Sequence, residues 1–76
     1  MKELVEVIAK ALVDDPSGVV VTESTRDGET TLELKVSPGD MGKVIGKQGR
    51  IARAIRSVVK AASTRENKKV NVEIVE

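Results

Sequence analysis

The 76-residue sequence has no cysteine, no histidine and no phenylalanine, tyrosine or tryptophan. Without cysteine there is no disulfide framework and no thiolate metal site. Without histidine the chain lacks the usual general base near neutral pH and the commonest metal ligand. Without aromatic rings it has no platform on which bases could stack. No apolar run approaches the roughly 20 residues of a membrane-spanning helix. The N-terminal stretch alternates charged and apolar residues and has no signal-peptide h-region, so the expected location is the cytoplasm, with no membrane partner. A chain this short buries only about 60% of its unfolded surface. It reads as one domain over residues 1–76, too small for a deep, many-sided pocket. The expectation is therefore a non-enzyme with no cofactor, metal or small-molecule substrate.

What is present is charge, and it is segregated. The formal net charge is only +1. From Met1 to Asp40, however, nine acids face four bases, and from Met41 to Arg65 there are seven bases and no acid. One third of the chain thus carries a local positive field.

Apolar periodicity predicts an α+β fold. Leu4, Val5, Ile8, Ala11 and Leu12 recur at helical spacing, giving a helix from about Lys2 to Val13 that Asp14-Asp15-Pro16 stops. Val19–Thr22 is β-branched and strand-like, and Asp27-Gly28 before Thr30–Val36 signals a hairpin. Leu32, Leu34 and Val36 point to one side of that second strand, and Val70, Val72 and Ile74 repeat the pattern near the C-terminus. Ser37-Pro38-Gly39-Asp40 has the form of a capped helix start, predicting a short helix from about Pro38 to Ile45 that Gly46 ends in a left-handed cap. A long helix follows from near Gly49 to about Thr64. Its expected apolar arc is Ile51, Ala54, Ile55, Val58, Val59 and Ala62, and its basic arc is Arg50, Arg53, Arg56, Ser57 and Lys60.

The break between these two helices, Gly46-Lys47-Gln48-Gly49, holds two glycines that each cost a helix about 1 kcal/mol relative to alanine. It lies at the N-terminus of the long helix, where backbone N–H groups lack helical partners and the helix dipole favours an anion. Glycines on both sides let a sugar-phosphate backbone approach without meeting a Cβ. Lys47 and Arg50 add positive charge at the same point, with Lys43 and Arg53 close in sequence. Other readings of these glycines fit less well. A Walker A loop needs four residues between its glycines and Ser or Thr after the lysine, whereas Gly42 and Gly46 have three between them and Gln48 follows Lys47. Glu23, Asp27, Glu29 and Glu33 could pair as carboxylates, but on or beside a hairpin they read as solvated charge.

The stretch "VIGKQGRIARAI" resembles the KH-domain core, [VI]-I-G-x-x-G-x-x-I, with Gly46–Gly49 as its GxxG loop. The element order is similar to that of type II KH domains, and the likeness extends over the whole chain, most closely to small bacterial KH-domain RNA-binding proteins. The resemblance implies an α-β-β-α-α-β order, with a three-stranded mixed sheet and three helices on one face. It implies binding of single-stranded RNA, about four nucleotides per clamp, in the manner of an RNA chaperone or post-transcriptional regulator. It also implies a homodimer, or a heterodimer with a larger KH-containing protein. On this reading Gly46, Lys47, Gln48 and Gly49 hold phosphates, and Arg50, Arg53 and Lys43 supply charge. Gly42, Val44, Ile45 and Ile51 line the groove where bases lie. The expected pairing surface is the apolar edge around Val58, Val59 and Ala62, or else a strand edge. The rival reading is a dimeric protein-interaction adaptor whose clamp is vestigial.

Overall fold

A computed structural model describes residues 1–75. The elements are α1 (Lys2–Leu12), β1 (Val20–Arg26), β2 (Glu29–Lys35), α2 (Met41–Ile45), α3 (Arg50–Arg65) and β3 (Lys69–Val75). Single 3-10 turns at Pro16–Gly18, Pro38–Asp40 and Lys47–Gly49 join them. This is the α+β order expected from the sequence. β2 is the central strand, antiparallel to β1 and parallel to β3. The hairpin closes with two residues, Asp27 and Gly28, both at positive φ, as a type I′ turn requires. The parallel pairing of β2 with β3 needs a crossover, and α2 and α3 supply it.

The alternation in β2 sets the core. Leu32, Leu34 and Val36 are buried, while Glu33 and Lys35 face water. The buried side chains pack with Val5 and Ala9 of α1, Val44 of α2, Ile55 and Val59 of α3, and Val72 of β3. All three helices cover the same face of the sheet. β1 contributes only Val21 to this core, as suits an edge strand.

Two expectations need correction. The long helix is rotated relative to the predicted arc. Its buried line is Ala52, Ile55, Val59 and Ser63, with Ile51 and Ala62 half-buried, whereas Ala54 is exposed and Val58 is 46% exposed. Small residues at both ends of the buried line let the helix lie close to the sheet. Ser63 is tolerated there because its hydroxyl donates to Lys60 O at 2.9 Å. Val59, only 1% exposed, belongs to the core and not to a pairing surface. The second correction concerns Ser37 and Asp40, which make no capping bond to their own helix. Asp40 is buried and its carboxylate accepts the N–H groups of Asp14 and Asp15, at 3.2 and 3.0 Å, while Ser37 Oγ donates to Asp15 Oδ2 at 2.7 Å. These N–H groups lie past the end of α1, so the pair ties the end of α1 to the start of α2.

Candidate nucleic-acid interface

The turn between α2 and α3 has an unusual backbone. Gly46 lies at φ 75°, ψ 173°, not in the left-handed cap predicted for it but in a region that is essentially glycine-only. A Cβ at Gly46 would also stand 2.6 Å from Ile51 Cγ1. The position therefore requires glycine for its dihedrals and for space. Gln48 (φ 57°, ψ 26°) and Gly49 (φ 73°, ψ 15°) are both left-handed. For Gln48 that conformation costs roughly 1–2 kcal/mol.

Internal bonds hold the reversal. Gly46 N–H donates to Gly42 O at 2.9 Å and Gly49 N–H to Gly46 O at 3.1 Å. Arg53 Nη2 donates to Gln48 O at 2.9 Å. The N–H groups of Lys47 and Gln48 are not part of this bonding, and no side chain caps α3. The turn thus offers backbone donors at the positive end of a 16-residue helix.

The cations of the 41–65 stretch divide into two groups. Lys43 Nζ lies 3.0 Å from Asp14 Oδ2 and 3.8 Å from Asp40 Oδ1, and the bond to Asp14 raises its pKa. Its charge is matched within the chain. Among the described residues, Lys47, Arg50, Arg53, Arg56, Lys60 and Arg65 enter no ion pair. Lys47, Gln48, Arg50 and Arg53 are all exposed around the turn.

The predicted groove residues also separate. Val44 is fully buried in the core, so it supports α2 from beneath and has no surface to offer a ligand. Ile51 is half-buried against Gly46. Ile45, 38% exposed, and Gly42 remain on the surface beside the turn. No atom lies within 4 Å of where a Gly42 Cβ would stand, so nothing in the fold requires glycine there.

One feature was not legible in the sequence. A groove of about 630 Å³ runs between α3 and β3, bordered by Arg56, Lys60, Lys68 and Lys69 and also by the carboxylates Glu29 and Glu73. Arg56 Nε donates to Val72 O on β3 at 3.2 Å. The i, i+4 spacing of Arg56 and Lys60 is visible in the sequence, but their meeting with Lys68 and Lys69 depends on where β3 docks. The hairpin carboxylates expected to be solvated are exposed; Glu29 accepts a bond from Asn71 Nδ2 at 3.1 Å. No helix among the described residues is long and apolar enough to cross a membrane.

Comparison with known proteins gives a consistent family. Residues 2–74 match the family described as KhpA/KhpB, KH domain. RNA-binding protein KhpA of Clostridium perfringens is 69% identical over 75 residues, covering 99% of this chain and 100% of its own length. The protein of the same name from Halalkalibacterium halodurans is 54% identical, with both chains covered fully. That from Aquifex aeolicus is 47% identical, over 100% of this chain and 96% of its own. With its mixed sheet centred on β2, three helices on one face and a glycine-bounded turn opening α3, the chain belongs to the KhpA/KhpB KH-domain family.

Proposed function

We propose that this chain is a non-enzymatic binder of single-stranded RNA, acting in the cytoplasm as an RNA chaperone or post-transcriptional regulator. The turn Gly46–Gly49 carries the reading: backbone donors and unpaired cations converge there, and glycines keep the approach open. The relatives' name, RNA-binding protein, supports it. Lys47, Gln48 and the turn N–H groups hold phosphates, Arg50 supplies charge beside them, and Arg53 belongs to the same turn through its bond to Gln48 O. Gly42 and Ile45 border the groove where bases lie, with Ile51 beneath, and Arg56 and Lys60 extend the path along α3. An unpaired strand fits this arrangement, because a stable duplex hides the base edges. The test is Lys47→Asp combined with Gln48→Asp. Two carboxylates would then face the phosphates on an exposed turn. Binding to a single-stranded oligonucleotide should fall below detection in a filter titration, with the circular dichroism spectrum unchanged. Undiminished affinity in the folded double variant would overturn the assignment.

The same reading includes pairing, either with a second copy or with a larger KH-containing protein. One clamp covers about four nucleotides, and joining two raises affinity through effective concentration without new contacts. The exposed flank of α3, Ala54, Val58 and Ala61, beside half-buried Ala62, is the contact surface. That apolar flank also favours one alternative, a protein-interaction adaptor with a vestigial turn. Salt separates the two: phosphate contacts weaken steeply with ionic strength, and an apolar interface does not.

A further inference from the structure

We infer that Arg53 is a positioning residue that braces the turn through Gln48, and not one of its phosphate ligands; the inference rests on the single-stranded RNA reading above. Gln48 is the one residue of the turn that is left-handed without being glycine. Among the described residues its exposed side chain finds no hydrogen bond that would hold it so. The bond from Arg53 Nη2 to Gln48 O, at 2.9 Å, is what secures this peptide from outside the turn. Arg53 is well placed for the task. Its neighbours Ala52 and Ile55 are buried, so its stretch of α3 is fixed against the core, and the planar guanidinium presents its donors in a rigid fork. The bond has an electrostatic consequence as well. A carbonyl oxygen turned toward an arriving phosphate would repel it, and Arg53 both neutralises this oxygen and keeps it turned toward α3. Among the described residues Lys47 and Arg50 make no such bond and no ion pair, so there they are the free charges of the turn.

Arg53→Gln removes the charge and shortens the side chain, and Arg53 is exposed enough for the fold to persist. Two measurements decide its role, with Lys47→Gln alongside. The first is affinity for a poly(U) oligoribonucleotide over a range of salt concentrations. A lost phosphate contact flattens the slope of log K against log salt by about 0.7, and Lys47→Gln should do this. Arg53→Gln should instead bind about tenfold more weakly, as expected when a charge-assisted bond that orders the site is lost, with the slope unchanged. The second is amide hydrogen exchange in the ligand-free protein. Exchange at Gly49 and Arg50, whose N–H groups are bonded within the turn, should quicken in Arg53→Gln while the rest of α3 keeps its protection. A slope flattened as in Lys47→Gln, or turn amides that exchange as in the parent protein, would overturn the inference. Failure of the parent protein to bind poly(U) would count against the RNA reading alone, and exchange would still decide the brace.

Discussion

Gly46 and Gly42, four residues apart, answer to different demands. Gly46 is fixed by its own backbone and by Ile51, so Gly46→Ala should destabilise the fold by about 2 kcal/mol or more and should weaken RNA binding too, as read by urea unfolding beside a binding titration. Gly42 sits in α2 with open space where a Cβ would go. Gly42→Ala should therefore stabilise the fold by about 0.5–1 kcal/mol while reducing affinity, because the added methyl group fills the approach to the groove. Opposite signs of stability change at two glycines of one motif would separate an internal requirement from an external one. At this scale the sequence was only partly legible. The need for glycine at 46 could be read from the spacing, but not the Ile51 contact that doubles it. Lys43 read as a free cation because its partner Asp14 lies 29 positions earlier, and Val44 read as groove because a two-residue apolar step does not say which residue turns inward.

Among the elements, α3 carries most of the reading and most of the error. It presents three faces: a core line through Ala52, Ile55, Val59 and Ser63, a basic flank with Arg56 and Lys60 toward β3, and an apolar flank with Ala54, Val58 and Ala61. Periodicity merged the first and third, since alanine and valine score alike whether they meet the sheet or water, and a buried serine scores as surface. Docking on β3 broke the tie. The hairpin, by contrast, was legible from Asp27-Gly28, because a type I′ turn depends on two residues alone. The distinction between faces has a direct test. Val58→Asp should keep the melting temperature within a few degrees and, if this flank forms the pairing surface, shift sedimentation at tens of micromolar toward the monomer. Val59→Asp puts a charge into the core and should cost about 4 kcal/mol or more, enough to leave little folded protein. A folded Val59→Asp variant, or a Val58→Asp variant that pairs as before, would contradict this division of the helix.

For the whole molecule, the segregated charge becomes spatial. The acid-free stretch from Met41 to Arg65 forms α2, the turn and α3: Lys47, Arg50 and Arg53 lie around the turn, Arg56 and Lys60 border the groove, and Arg65 lies at the apolar flank beside Glu66. If Lys47, Arg50, Arg56 and Lys60 each meet a phosphate, log K should fall against log salt with a slope of about −3. A duplex of the same sequence should compete at least about tenfold less well than the single strand, since it offers phosphates but no splayed bases; equal competition would reduce the interaction to unspecific attraction. The parallel pairing of β2 with β3 places the turn inside the chain segment that this pairing closes. A hairpin such as β1–β2 assembles from neighbours, in microseconds, but β3 can join only after the intervening helices are laid down, and such distant contacts form late and slowly. The turn depends on α3 for Ile51 and Arg53, and α3 depends on β3 for its seat. Assembly of the turn is thus coupled to a late step of folding, so under the proposed function a nascent or partly unfolded chain would carry the charges that attract RNA without the geometry proposed to hold it.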